Sequence, residues 1–262
     1  MGDYLKTQKK YVSSAFILLL TSVIVKIIGA VYKIPLTAFI GAVGRGYFAA
    51  AYNIYLPLHA VLMGALPVSL SRLVSKYNAL GDKRMLSSLR KGSRFVFFAA
   101  GMLGVCVIVV AAVPYSMYIA HAPKSVYTVF VIAPSLLFSC LSASLRGYFE
   151  GYMNMKPTAV SQTLEALVKT VFGLLFSKYT MYRLFGEYSA VGTVFRIPFK
   201  NESDALSFIY PLTSAAAMLG VTLGALEGYV YVVIYYMINR DKLFPTQREE
   251  TEGASFSLFH FR

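Results

Sequence analysis

Tryptophan is absent from the 262 residues, cysteine occurs twice, histidine three times, and only 12 residues are acidic against 25 lysines and arginines. Each shortage removes a class of function. Cys106 and Cys140 lie inside apolar runs with no metal-ligand spacing around them, so they read as buried thiols rather than a metal or redox motif. Inside apolar segments the only carboxylates are Glu165 and Glu227, far apart in sequence and without a second acid, histidine or cysteine placed to make an acid/base pair or a metal site. A glycine-rich phosphate loop of the P-loop type is also missing, which argues against nucleotide hydrolysis. This is not the pattern of an enzyme, and no catalytic residue, metal or cofactor is expected. With no tryptophan, the interfacial aromatic belt of a membrane protein would have to come from the 20 tyrosines.

Apolar residues are what the chain has in excess: 57% of it is hydrophobic and the mean hydropathy is +0.59, values of a membrane protein. Six runs, 12–40, 47–76, 92–119, 126–149, 157–182 and 206–239, are predicted to span the bilayer as helices, between an N-terminal arm 1–11 and a polar tail 240–262. The fold class expected is an all-α, polytopic transmembrane bundle. The first run is too long for a signal peptide and no small-x-small cleavage site ends it, so it reads as an uncleaved span. A turn is expected over 41–46 and a loop over 77–91, and Pro157 is expected in the first turn of the fifth helix. Pro57 and the stretch 64–67 should kink or unwind the second helix.

A formal net charge of +13 would suggest nucleic acid in a soluble protein, but here the cations must first be sorted by side of the membrane. The arm (Lys6, Lys9, Lys10), the connection after the second span with its flanks (Arg72 to Arg94), Arg146, Lys156 and the tail together hold 16. The opposite side holds 6: Arg45, Lys124, Lys178, Arg183, Arg196 and Lys200. Both termini are therefore expected in the cytoplasm, the protein in the cytoplasmic membrane, and no nucleic-acid partner is expected.

The first span carries the main clue. At 1.5 Å per residue the run 12–40 reaches about 43 Å, more than the ~30 Å hydrocarbon core, and Lys26 stands equally far from both its ends. A charge at that depth costs roughly 2.5–3.5 kcal/mol and cannot snorkel out, so something must compensate it. Lys33 lies two turns on, and Ser22, Gly29 and Thr37 share its side, which makes a polar stripe on an apolar helix. Two readings stand: a cationic wall that receives an anionic group, or Lys26 neutralising a buried carboxylate while Lys33 reaches the surface. Glu165 and Lys169, four apart with the acid first, read as an intrahelical ion pair, with Gln162 on the same face. Glu227 is a lone acid on a helix whose Gly220, Gly224 and Gly228 permit close helix contact; it reads as a partner for Lys26 or as an ion-coupling group. His59, near Pro57, is a further candidate because histidine is the side chain whose ordinary pKa lies near neutral, the other reading being a single satisfied structural histidine.

Two stretches are specific enough to suggest a family. Residues 64–82, GALPVSLSRLVSKYNALGD, and 145–159, LRGYFEGYMNMKPTA, with Ser161, Gln162 and Glu165 beyond, resemble the polysaccharide transporter family, in its stage V sporulation protein B-like branch. That family belongs to the multidrug/oligosaccharidyl-lipid/polysaccharide (MOP) exporter superfamily, which also holds the lipid II flippases. The resemblance implies a MATE-like fold of two helical lobes working by alternating access. The implied cargo is an undecaprenyl-pyrophosphate-linked saccharide or peptidoglycan precursor for wall, spore-cortex or polysaccharide synthesis. Six spans would form one such lobe, so the resemblance also implies a second lobe or a homo-oligomer as partner, besides membrane lipids. By the same resemblance Lys26 matches a basic cavity residue of the lipid II flippases and Lys33 lies within a residue of another, with Arg45 and His59 as further substrate-side candidates. A basic position expected in the second span has no counterpart, the region being Leu58, His59 and Ala60. The alternatives are a cation-coupled drug exporter of the same superfamily, which would need acidic residues on the cavity, and an inactive or scaffolding truncated product.

Overall fold

In the computed structural model, the described backbone comprises residues 2–199 and 201–243, and the described side chains those of 16–199 and 201–239. Five helices are long and apolar enough to cross a membrane: α1 (Gly2–Ala79), α2 (Lys83–Pro114, continued by a π-helical turn, Tyr115–Ile119), α3 (Val126–Gly151), α4 (Lys156–Val191) and α5 (Glu202–Leu243). Hydrocarbon offers the backbone no hydrogen-bond partners, so such runs satisfy their amides internally as helices. The only strands among the described residues, β1 (Thr193–Val194) and β2 (Ile197–Pro198), form a two-residue antiparallel ladder between α4 and α5.

Helix α1 supplies two of the expected six spans. Its apolar stretch of 64 residues would reach about 96 Å if straight, three times the hydrocarbon core. Gly41 breaks it: φ 65° and ψ 178° lie in a region open in practice to glycine alone. The chain folds back there. The ring of Tyr32 comes within 6.4 Å of that of Phe48, and Arg45 Nη1 reaches to 3.5 Å from the Thr37 hydroxyl. The turn expected over 41–46 is thus a single residue between a first arm, 2–40, and a second arm, 42–79. A Cβ at Gly41 would also meet the Tyr210 ring at 3.0 Å. Gly41→Ala is expected to destabilise the lobe by roughly 2–4 kcal/mol, from backbone strain and overpacking together. Gly41→Asn should do no better, because asparagine is at ease in the left-handed helical region and not at ψ near 180°. Thermal unfolding of both variants in detergent checks this; a wild-type midpoint for either would show that the joint does not need glycine.

Several boundaries differ from expectation. The loop expected over 77–91 shrinks to residues 80–82, because Asp82 caps α2 by accepting from the Met85 amide at 2.9 Å and the basic stretch that follows is amphipathic, with Leu86 buried. Helices α4 and α5 also run past the expected bounds, to Val191 and over Glu202–Leu243. Pro57 and Pro67 do not unwind α1: Gly41 is its only residue outside helical φ/ψ. Pro157 lies in the first turn of α4. Residues 244–262 of the expected tail lie outside the described residues, as do the side chains of the arm 1–11.

Helix α3 is the axis of the lobe, two-thirds buried along its most apolar window, against about a tenth for α1. Val129, Ile132 and Leu136 pack with Ile108 and Ala112 of α2, Ala51 and Tyr55 of α1, and Met218 of α5. The closest approach joins α4 and α5. Gly220 rests on the backbone of Gly173, and a Cβ at Gly224 would stand 2.7 Å from the Glu165 carbonyl oxygen. Cys140 is buried as expected, whereas Cys106 is exposed on α2. In a bilayer an outward thiol is as well solvated by lipid tails as an inward one is by the core.

Candidate functional site: a cationic face and a buried ion pair

The first arm of α1 carries three strips. Tyr32, Leu36 and Ile40 are buried and pack on Ala217 of α5 and on Phe48. Phe16, Ile27, Val31 and Ile34 are exposed and apolar, as a lipid-facing strip would be. Between these strips run Ser22, Lys26, Lys33 and Thr37. Lys26 and Lys33 are both exposed, and neither has a carboxylate partner among the described residues. Thr37 donates to the Lys33 carbonyl at 2.8 Å, and Arg45, also exposed, reaches Thr37 from beyond the Gly41 joint. Three cations therefore follow one polar line, with Thr37 linking Arg45 to the backbone at Lys33.

The second constellation is internal. Arg146 of α3 donates from Nη2 to Glu165 Oε2 at 3.0 Å and from Nε to Ser161 Oγ at 2.9 Å, both acceptors lying on α4. The arginine side chain is 14% exposed and the glutamate 31%, so the pair is largely shielded. Gly228 of α5 makes room for it: a Cβ there would stand 3.0 Å from Arg146 Nη2 and 3.1 Å from Glu165 Oε2. Beside it, Thr158 donates to Glu150 Oε1 at 3.0 Å.

The acid of the expected Glu165–Lys169 pair thus turns to Arg146, while Lys169 Nζ lies 5.6 Å from the ring centre of Tyr52, a cation–π distance. Tyr52 continues into Tyr55, whose ring stands 5.2 Å from His59. Glu227 is half-buried, and its Oε2 is buried without a partner. The structure therefore sorts the candidates into two groups: Lys26, Lys33 and Arg45 on the open face, and His59, Glu165, Lys169 and Glu227 on the internal seam. No group of His, Cys, Asp or Glu side chains that could hold a metal converges among the described residues.

Arg146, Ser161 and the two tyrosines are what sequence reasoning missed, since Arg146 counted as a connection residue. A signal existed. The α3–α4 connection is centred near residue 153, which puts Arg146 and Glu165 within a turn or two of one depth on antiparallel neighbours, and Ser161 and Glu165 are four apart on one face.

A family profile described as "Polysaccharide biosynthesis protein" matches residues 11–195, which take in the cationic arm, both signature stretches and the Arg146–Glu165 pair. The chain belongs to that family. Among curated members and relatives, lipid II flippase MurJ of Bacillus subtilis (strain 168) is 28% identical over 269 residues, covering 96% of this chain and 45% of MurJ. Stage V sporulation protein B of the same organism is 27% identical over 189 residues, 71% of this chain and 36% of that protein. The uncharacterized membrane protein YabM, also of Bacillus subtilis, is 29% identical over 180 residues, 67% of this chain and 33% of its own. The chain spans less than half the length of each of these relatives. No solved structure matches it.

Proposed function

We propose that the chain forms one lobe of a flippase that moves an undecaprenyl-pyrophosphate-linked saccharide or peptidoglycan precursor across the cytoplasmic membrane, with Lys26 and Lys33 receiving the pyrophosphate. The observation that carries this reading is the pair of lysines on a membrane-spanning arm, both open and both without a carboxylate to neutralise them. A lysine at bilayer depth and a pyrophosphate leaving water each lack a counter-charge, and each offsets the other's desolvation. Arg45 extends the line toward the end at which the saccharide would emerge, and its fork suits a phosphate oxygen pair. Membership of a polysaccharide biosynthesis family and likeness to a protein named as a lipid II flippase support the cargo class.

In this reading the lysines face a second helical lobe across a central cavity, and the carrier is passed from one leaflet to the other as the lobes rock. The 262-residue chain reconstituted by itself is accordingly expected to bind a lipid-linked oligosaccharide without translocating it. A fluorescent carrier analogue in liposomes, scored for accessibility from outside, measures this, and translocation by the monomeric chain would sink the two-lobe reading.

The orientation is tested separately. Single cysteines at positions 83 and 121, in a background lacking Cys106 and Cys140, should react with an impermeant maleimide at 121 and not at 83 in intact cells. The reverse labelling pattern would invert the topology and place Lys33 near the cytoplasmic surface.

A further inference from the structure

A cavity of about 240 Å³ lies where the connections 120–125 and 192–199 meet the start of α5, at the same end of the bundle as the Gly41 joint, on which the ring of Tyr210 packs; Lys124, Tyr127, Phe195, Phe208, Pro211 and Leu212 line it. Five of the six walls are apolar or aromatic and the sixth is a cation. Lys124 Nζ donates to the Ser207 carbonyl at 3.0 Å and sits 3.5 Å from the Ser207 hydroxyl. An ammonium has three protons, so this anchoring leaves one for a ligand. Glu202 and Asp204 open α5 nearby, yet neither lines the cavity, so its charge is not cancelled from within.

The hairpin that supplies Phe195 is strained in an informative way. Its two turn residues, Phe195 (φ 54°) and Arg196 (φ 66°), both adopt the left-handed conformation that two-residue hairpins usually assign to asparagine and glycine. The pairing of Val194 with Ile197, and the complete burial of Val194, hold them there. Strain kept at a loop tip marks side chains with a task. Here the turn sets a phenylalanine, 59% exposed, on the wall of the cavity, at an end of the bundle where connections join the apolar helices. Aromatic rings with a cation at that end match the two parts of a lipid, a hydrocarbon chain and a phosphate. The volume suits the chain: at about 30 Å³ for a water-sized group, it takes roughly eight methylenes, whereas a saccharide would find one polar wall and five apolar ones.

We propose that this cavity binds one anionic phospholipid, its phosphate on Lys124 and the first part of an acyl chain among Tyr127, Phe195 and Phe208. Lys26, Lys33 and Arg45 do not line the cavity, and its occupancy ties the α4–α5 hairpin to the leaflet.

The lack of tryptophan makes the test direct. Phe195→Trp in the otherwise unchanged full chain, reconstituted in phosphatidylcholine vesicles, places the only indole at the cavity. Phosphatidylglycerol brominated on its acyl chains is then compared with brominated phosphatidylcholine at equal mole fraction. The anionic lipid should quench with about fivefold greater apparent affinity, the scale set by one lysine at an anionic surface. Lys124→Gln in the same background should bring the ratio to about one, and Lys124→Arg should keep it. Val110→Trp, on the exposed face of α2, is the reference for ordinary annular lipid and should show no preference. Tyr127→Trp reports from the opposite wall if Phe195→Trp disturbs the turn. Equal quenching by the two lipids at both cavity reporters overturns the proposal. So does displacement of brominated phosphatidylglycerol by unlabelled undecaprenyl phosphate at lower mole fraction than by unlabelled phosphatidylglycerol, which would make the cavity a carrier site instead.

Discussion

Replacing Lys26 by glutamine in a complete transporter is expected to weaken carrier binding by at least tenfold and to abolish translocation while leaving the protein inserted. The magnitude follows from the contact: a hydrogen bond between charged groups contributes about 1.5–3 kcal/mol, which corresponds to factors of roughly ten to a hundred or more, and fewer waters replace it at the centre of the span than at its ends. Charge should matter more than shape. Lys26→Arg is expected to retain much of the activity because guanidinium also binds phosphate, whereas Lys26→Glu should be worse than Lys26→Gln because it sets like charge against the carrier. Lys33 should follow the same order with smaller effects, being closer to the end of its arm, where water substitutes for part of the interaction. Carrier binding and translocation, each normalised to inserted protein, are the measurements. Equal binding by Lys26→Gln and wild type would leave Lys26 without the role given to it here.

The second large effect concerns stability. Arg146→Met is expected to destabilise the lobe by about 2–4 kcal/mol, because it strands the Glu165 carboxylate between three helices and removes the donor to Ser161 Oγ, which keeps only its own bond to the Thr158 carbonyl. The lower end of the range for broken buried pairs applies, since Glu165 is partly exposed. The double replacement Arg146→Met with Glu165→Leu should recover most of the loss, as apolar residues of similar volume often replace a shielded pair at little cost. A cycle of apparent melting temperatures in detergent reads the coupling directly. Additive losses in the double variant would mean that the two side chains do not depend on each other, and the 3.0 Å contact would then carry no stability of its own.

The class of the fold, a bundle of long apolar helices, was legible in the sequence because hydrocarbon imposes one rule, a helix of sufficient length, that needs no knowledge of neighbours; among the described residues five helices meet it, the first two of the six expected runs being one helix broken at Gly41. Helix ends were less legible. Residues 83–91 are basic yet good helix formers with a buried Leu86, so polarity there marks a helix leaving the membrane and not a loop. Burial was hardest to read. A soluble chain reveals its core by apolar periodicity, but lipid solvates Val110 or Ile34 as well as the interior solvates Ile132, and the same equivalence hid the exposure of Cys106. Not all of the tyrosines are free for an interfacial belt, since Tyr32 and Tyr55 are buried among the helices. Of the candidate residues, the polar stripe of the first arm could be read because it broke an apolar helix. The partner of Glu165 was harder to read: it comes from another helix 19 residues earlier in the chain, and only the length of the α3–α4 connection brings the two to a similar depth.

The seam between α4 and α5 has a mechanical corollary. Helices separated by long side chains slide by exchanging rotamers, but where Gly220 lies on Gly173 there is nothing to exchange, and relative motion would meet backbone repulsion at once. With α3 tied in through Arg146, three helices make a stiff block. The first arm of α1 touches that block along a single line and is joined to the next span through one residue without a Cβ. Compliance is therefore concentrated in the member that bears Lys26 and Lys33, an elastic arm on a rigid frame that can shift the two ammonium groups while the frame keeps its shape.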